Sequence, residues 1–328
     1  MKCILPAACS ALLFCSVFLP AQQQQQHQLP DAEEGATFKL DVDLVNVLFS
    51  VRDKKGRLIP NLEKDDFTVA EEGKPQTIRY FARETDLPLT IGLLIDVSRS
   101  QENLLETERR AASAFFTQVL RQKDEAFLIS FGTGSDLLQD FTNSPKLLRA
   151  GLDGLRIQGA VYVPGINPGP VPATPRGTVM FEAVYLAAQE KMRGEVGRKA
   201  IVLITDGQDQ GSRTKIGEAI EAAQKADSII YSIQFIDNRF YGMGYGGDGD
   251  LKRMSEETGG RLFRVDRKHT LDDIFREIQE EMRSQYAISY APANTAKDGA
   301  YRRIEIRTKD KDLRVQARKG YYAMASSK

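Results

Sequence analysis

Three side chains that carry oxygen stand at alternate positions directly after an apolar run. The run is Leu89–Ile95, and Asp96, Ser98 and Ser100 follow it. An uninterrupted apolar run predicts a strand that is buried on both faces, at the centre of a parallel sheet. Because ligands bind outside the carboxyl ends of such strands, the three side chains lie where a site is expected. One carboxylate and two hydroxyls are hard donors, which suit Mg²⁺ or another hard divalent cation.

The string DVSRS at 96–100 resembles the D-x-S-x-S signature of von Willebrand factor type A (VWFA) domains. Two further matches come in the family's order. The pair GT at 177–178 resembles the metal-site threonine loop, and IVLITDG at 201–207 resembles a buried strand with the family's T-D-G turn. A single short motif of acid and serine would be weak evidence for the family. Three motifs in the family's order, two of them at strand ends, form a specific pattern.

The resemblance implies a metal-ion-dependent adhesion site (MIDAS) built from five side chains. Carried over residue by residue, its ligands are Asp96, Ser98, Ser100, Thr178 and Asp206. The implied cofactor is Mg²⁺, or Mn²⁺ or Ca²⁺ in its place. Neutral hydroxyl ligands leave a dication electrophilic, so the implied partner is a protein that presents an Asp or Glu carboxylate.

A plainer interpretation makes the first three residues helix caps. Ser and Asp are good N-caps, and a helix is expected from Glu102. That interpretation explains Ser100, but it does not explain why the matching residues Thr178 and Asp206 occur on two other loops. Asp209, three residues after Asp206, could also approach the ion, but it is expected to point to solvent.

The middle of the chain alternates strand and helix, which predicts an α/β fold: a doubly wound, mostly parallel sheet flanked by helices. Besides the run at Leu89–Ile95, strands are expected at Ala126–Phe131, Ile201–Thr205, Ile229–Phe235 and Arg261–Val265, a hairpin edge strand at Leu137–Phe141, and helices at Glu102–Arg121, Pro145–Leu155, Thr178–Met192, Lys215–Ala226 and Leu271–Met282. Thr270 and Asp273 match a capping box for the last helix.

The Gly- and Pro-rich loops 157–177 and 238–250 interrupt the pattern and are expected to be functional or mobile.

Segments of period-two alternation flank this α/β region on both sides. They predict strands at 37–86 and again at 285–324. We expect the two segments to pair into one smaller all-β sandwich, with a VWFA domain at 87–284 inserted between them. Two independent β appendages are the alternative.

The first 21 residues have the pattern of a signal peptide. Lys2 precedes an apolar stretch, Cys3–Phe18, and the string LPA at 19–21 is a plausible cleavage site. The expected location is therefore the periplasm, the cell envelope or the extracellular space. An uncleaved membrane anchor and a lipid attached at Cys9 are alternatives. Residues 22–36 follow as a polar tether that is expected to be disordered.

Charge and histidine content exclude several classes of function. The 45 basic and 45 acidic residues balance, so neither nucleic acid nor an anionic membrane surface is an expected partner, and no small-molecule substrate is indicated. A hydrolase with a serine nucleophile would need a general base, but His27 lies in the tether and His269 before the last helix. We therefore predict a binding protein and not an enzyme. A structural envelope scaffold with a stabilising metal is the alternative.

Overall fold

The computed structural model describes residues 44–84, 87–158, 177–237 and 248–324. The predicted signal peptide, the tether and most of both Gly-rich loops lie outside these described residues. Within them, no helix is long and apolar enough to cross a membrane.

The strands and helices follow the order that the sequence predicts. The strands are β1 (Val45–Arg52), β2 (Phe67–Glu71), β3 (Lys74–Gln76), β4 (Ile78–Glu84), β5 (Leu89–Asp96), β6 (Glu125–Phe131), β7 (Ser135–Thr142), β8 (Arg198–Thr205), β9 (Ser228–Gln234), β10 (Leu262–Arg264), β11 (Gln285–Tyr290), β12 (Tyr301–Thr308), β13 (Arg314–Ala317) and β14 (Gly320–Tyr322). The helices are α1 (Leu105–Val119), α2 (Pro145–Asp153), α3 (Met180–Leu186), α4 (Ile216–Lys225), α5 (Asp248–Thr258) and α6 (Leu271–Arg283).

The central sheet has six strands in the order β10-β9-β8-β5-β6-β7. All neighbours are parallel except β6 and β7, which pair antiparallel at the edge. Every residue of β5 and β8 is buried, as the apolar runs predict for strands that are covered on both faces. Apolar side chains of α1, α2 and α6 pack on one face of the sheet, and those of α3, α4 and α5 pack on the other. The predicted doubly wound fold is confirmed.

The two ends of the described chain form a pair of four-stranded sheets. One has the order β13-β1-β11-β4 and the other β14-β12-β2-β3, so each sheet combines two strands from before the α/β region with two from after it. Phe49 and Tyr286 of the first sheet and Phe67 of the second meet in a common core, with ring centroids 5.1–5.4 Å apart. This is the predicted all-β sandwich. The domain limits at 86 and 284 stay a prediction.

One buried acid joins the last helix to the sandwich. Glu281 on α6 is 1% exposed. Its carboxylate accepts hydrogen bonds from Arg52 at 2.5 Å, Ser50 at 3.2 Å, Arg261 at 3.0 Å and Tyr231 at 3.3 Å. Since Ser50 and Arg52 belong to β1 and Tyr231 to β9, Glu281 connects the sandwich with the central sheet.

Several element limits differ from the prediction. The helix expected from Glu102 begins at Leu105, because residues 99–101 form a 3₁₀ turn. The helix expected over 178–192 is α-helical only over Met180–Leu186 and continues as a π-helix over Ala187–Met192. The short edge strands β3 and β14 were not predicted, because three residues each are too few to show an alternating pattern. The helix α5 was not among the predicted helices either.

Candidate functional site

Asp96, the last residue of β5, is fully buried and fixed by two hydrogen bonds. One carboxylate oxygen accepts from the Ser98 N–H at 2.8 Å, and the other accepts from the Thr205 hydroxyl at 2.6 Å. Burial, and secondarily the nearby charge of Asp206, raises the pKa of Asp96 from 3.8 to about 7. A positive charge placed beside this carboxyl would stabilise its ionised form.

Ser98, Ser100 and Asp206 form one hydrogen-bonded chain. The two serine hydroxyl oxygens lie 3.0 Å apart, and the Ser100 hydroxyl donates to Asp206 at 2.5 Å. The second Asp206 oxygen accepts from the Gln208 N–H at 3.0 Å. Because Asp96 and Asp206 follow neighbouring parallel strands, the fold places four of the five predicted ligands at one edge of the sheet.

Thr178 is connected to this group through its backbone. Its carbonyl oxygen accepts hydrogen bonds from the N–H groups of Gln210 at 3.1 Å and Gly211 at 3.0 Å, in the loop that follows Asp206. Within the described parts of the chain, the Thr178 hydroxyl makes no hydrogen bond to the other four predicted ligands. The structure thus brings Thr178 to the Asp206 loop, and direct side-chain contacts unite only the other four.

Two glycines permit this close approach of the backbones. A Cβ on Gly211 would overlap the carbonyl oxygen of Gly177, and a Cβ on Gly177 would overlap Gln210. Neither glycine has a positive φ, so the constraint is space and not backbone conformation.

The expectation that Asp209 points to solvent is wrong. Its carboxylate accepts from the Phe181 N–H at 2.9 Å, in the first turn of α3, and from the Ser212 hydroxyl at 2.6 Å. A free N–H at a helix start attracts an acid in this way. Asp209 therefore holds the start of the helix that follows Thr178.

Sequence reasoning missed two buried acceptors near the site, Gln101 in the 3₁₀ turn and Glu108 on α1. Glu108 and Gln101 are both 0% exposed. Neither carboxyl oxygen of Glu108, nor the amide oxygen of Gln101, has a hydrogen-bond partner in the described structure. The sequence did contain a signal for Glu108, because this acid lies within the apolar face of α1, between Leu105 and Ala112. A buried carboxylate at such a position needs an explanation.

The oxygen-rich set fits a hard divalent cation. No cluster of three or more His, Cys, Asp or Glu side chains that could hold a metal occurs among the residues that the structure describes. The candidate set instead mixes hydroxyls with two acids, a composition that suits Mg²⁺ bound partly through water. Glu108, on which the charges of Asp96 and Asp206 act, has two unpartnered carboxyl oxygens that could accept hydrogen bonds from such water.

The rim of the site carries an exposed cation. Arg99 lies between the two serines, and its guanidinium makes no hydrogen bond or ion pair with any described residue. His269, in contrast, lies 2.7 Å from Glu277 on α6, a pairing that leaves no histidine in contact with either serine within the described chain.

Residues 171–277 match the family model of the von Willebrand factor type A domain. The matched segment includes Thr178 and Asp206 and begins downstream of the DVSRS string at 96–100. No curated protein matches the chain.

Solved structures of similar fold include bacterial proteins of low sequence identity. The conserved hypothetical protein BatB from Bacteroides thetaiotaomicron is 18% identical, with a TM-score of 0.43 over 59% of this chain and 97% of that one. An aerotolerance-related membrane protein from Bacteroides fragilis is 17% identical, with a TM-score of 0.43 over 59% and 98%. A von Willebrand factor type A protein from Catenulispora acidiphila is 12% identical, with a TM-score of 0.47 over 86% and 73%.

Proposed function

We propose, from the premise that this chain carries a von Willebrand factor type A domain, that it is a divalent-metal-dependent module for binding another protein. The domain itself indicates an interaction or adhesion module. The finer proposal is that Asp96, Ser98, Ser100, Thr178 and Asp206 hold Mg²⁺, or Mn²⁺ or Ca²⁺.

The observation that supports this proposal most is the continuous hydrogen-bonded set at the sheet edge. Asp96, Ser98, Ser100 and Asp206 come from two loops more than a hundred positions apart in the chain, as the 106-residue separation of Ser100 and Asp206 shows. Helix capping by itself would not require the second loop. In the hydrogen-bonded set, Asp206 accepts from the Ser100 hydroxyl and Asp96 accepts from Thr205.

A cation held there supplies an electrophilic position that a carboxylate from the partner can occupy. Arg99 supports the same choice of partner, because an exposed guanidinium that is unpaired among the described residues attracts acids and repels bases. The partner we propose is therefore a protein segment that presents an Asp or Glu, with further negative charge nearby.

Export is part of the proposal, and it is supported by the sequence of residues 1–21. The periplasm, the envelope surface or the extracellular space would each suit a binding module of this kind. We further propose that the protein is not an enzyme, because a serine nucleophile at Ser98 or Ser100 has no histidine base beside it among the described residues, and His269 is engaged with Glu277.

Cation-dependent capture tests the function directly. The full chain is immobilised and incubated with envelope protein extract, with Mg²⁺ or with EDTA. We expect a captured protein that is lost with EDTA and with Asp96→Asn. The matched control is Asp65→Asn, at an exposed aspartate beside the sandwich strand β2, which should capture normally. Capture that survives both EDTA and Asp96→Asn would contradict the proposal.

A scaffold role gives a different result in the same variants. If the metal only stiffens the domain, Asp96→Ala should lower the melting temperature and leave capture intact.

A further inference from the structure

Glu108 is a buried acid whose carboxylate is left without partners. It is 0% exposed, and neither oxygen has a hydrogen-bond donor among the described residues. A buried polar group in this condition costs free energy, and a charged one costs more. Native structures rarely keep such a group unless a water or an ion completes it.

The helical register aims Glu108 toward the candidate metal site. Backbone hydrogen bonds run from Leu104 N to Gln101 O at 2.9 Å and from Glu108 N to Leu104 O at 3.0 Å, so Gln101 and Glu108 share one face. The Gln101 amide donates to the Phe235 carbonyl at 3.3 Å, and the Phe235 N–H donates to Thr205 O at 2.9 Å. That face therefore contacts Phe235, which is hydrogen-bonded to Thr205 at the end of β8, one residue before Asp206.

The two charged groups that affect the pKa of Glu108 are both negative. Burial first, and then the charges of Asp96 and Asp206, raises the pKa of Glu108 well above its ordinary value. The charges of the two acids at the strand ends thus act on the buried carboxyl of Glu108. A single cation would relieve the repulsion among them.

We propose that Glu108 is a further residue of the cation site, which accepts hydrogen bonds from the ion's bound water on the buried side. This inference rests on the proposed function. Direct ligation by Glu108 is disfavoured, because the described residues hold no cluster of three acids spaced to bind a metal. The unpartnered amide oxygen of Gln101 is a second acceptor on the same face for the same water.

The role assigned to Glu108 is that of a positioning residue. Acceptors behind the ligands orient the waters and typically contribute a factor of about 10–100 in metal affinity. Mg²⁺ retains its waters more firmly than Ca²⁺ does, so Glu108 should favour Mg²⁺.

Calorimetric titration of the full chain with Mg²⁺ and, separately, with Ca²⁺ tests the inference. For Glu108→Gln we expect Mg²⁺ affinity to fall about tenfold and Ca²⁺ affinity to fall less. The matched control is Glu106→Gln, two residues earlier on α1, where the side chain is 80% exposed; it should bind as the parent does. Glu108→Leu provides a second variant that leaves no buried polar group, and its melting temperature in EDTA should equal or exceed that of the parent.

The outcomes separate this inference from the function on which it rests. Unchanged Mg²⁺ affinity in both Glu108 variants, with binding by the parent, overturns the role of Glu108 alone. If the parent itself binds neither ion, the proposed function and the role of Glu108 fall together.

Discussion

At the scale of single residues, the candidate site depends on how Asp96 is stabilised. Its two carboxyl oxygens accept from the Ser98 N–H and the Thr205 hydroxyl, and yet it is fully buried beside a second acid. The desolvation of the charge outweighs the two hydrogen bonds, so the pKa rises to about 7.

This raised pKa gives the metal-free protein a definite pH dependence. Because the folded-state pKa exceeds the ordinary value of 3.8, the folded protein binds more protons than the unfolded chain between these two values. The Asp96 contribution to stability is complete below the unfolded pKa and is lost as pH rises through about 7.

We therefore expect the melting temperature of the parent in EDTA, relative to that of Asp96→Asn, to fall between about pH 4 and about pH 7. Scanning calorimetry of both proteins across this range measures the difference. Comparison with the uncharged Asn variant cancels the titration of groups that the charge of Asp96 does not influence. A difference that is independent of pH would contradict the environment described for Asp96.

The sequence was sufficient to predict the residues of the hydrogen-bonded set, but not the neighbouring acids Asp209 and Glu108. Asp96, Ser98 and Ser100 could be predicted because an apolar strand must end beside them. Asp209 and Glu108 could not, since the contact of Asp209 with Phe181 and the burial of Glu108 depend on packing between distant segments.

At the scale of elements, the site depends on the close approach of two loops. The loop after β8 donates two backbone hydrogen bonds to Thr178, and Gly177 and Gly211 provide the necessary space. Asp209 adds a side-chain link from the same loop to the first turn of α3.

Gly211→Ala should separate these loops. The added methyl group would meet the backbone of Gly177, so we expect a lower melting temperature and a weaker Mg²⁺ affinity, both measurable on the purified full chain. Gly217→Ala on α4 is the matched control, because a Cβ there meets open space and alanine favours a helix by up to about 1 kcal/mol over glycine. Equal effects of the two substitutions on Mg²⁺ affinity would refute the importance of the loop contact.

Elements that carry a strong local signal could be predicted well. The apolar runs gave β5 and β8, and Thr270 with Asp273 forms the predicted capping box of α6. The limits of α1 and the π-helical continuation of α3 had no comparable local signal, because backbone hydrogen bonding at those points is set by neighbouring elements.

At the scale of the whole molecule, Glu281 connects the sandwich to the α/β region. Its carboxylate faces Arg52 from β1, Arg261 before β10 and the Tyr231 hydroxyl from β9. Alternation at the two chain ends was sufficient to predict that their strands pair. A buried joint of this kind could not be predicted, since its members are scattered from position 50 to position 281.

Glu281→Ala should destabilise the whole fold. Removal of the acid leaves Arg52 and Arg261 without their shared buried carboxylate, a loss that typically costs about 3–5 kcal/mol of unfolding free energy. Urea denaturation measures it, with Glu280→Ala as the control because that neighbour is exposed. The idea of a structural joint is untenable if both variants unfold at the same urea concentration.

Calorimetric titration of Mg²⁺ into the full chain, in parallel with Asp96→Asn and Asp65→Asn, shows directly whether the strand ends hold a cation. We expect saturable binding at one site in the parent and in Asp65→Asn, and no binding in Asp96→Asn. Absence of saturable binding in the parent, or undiminished binding in Asp96→Asn, would contradict a cation site at the carboxyl ends of β5 and β8.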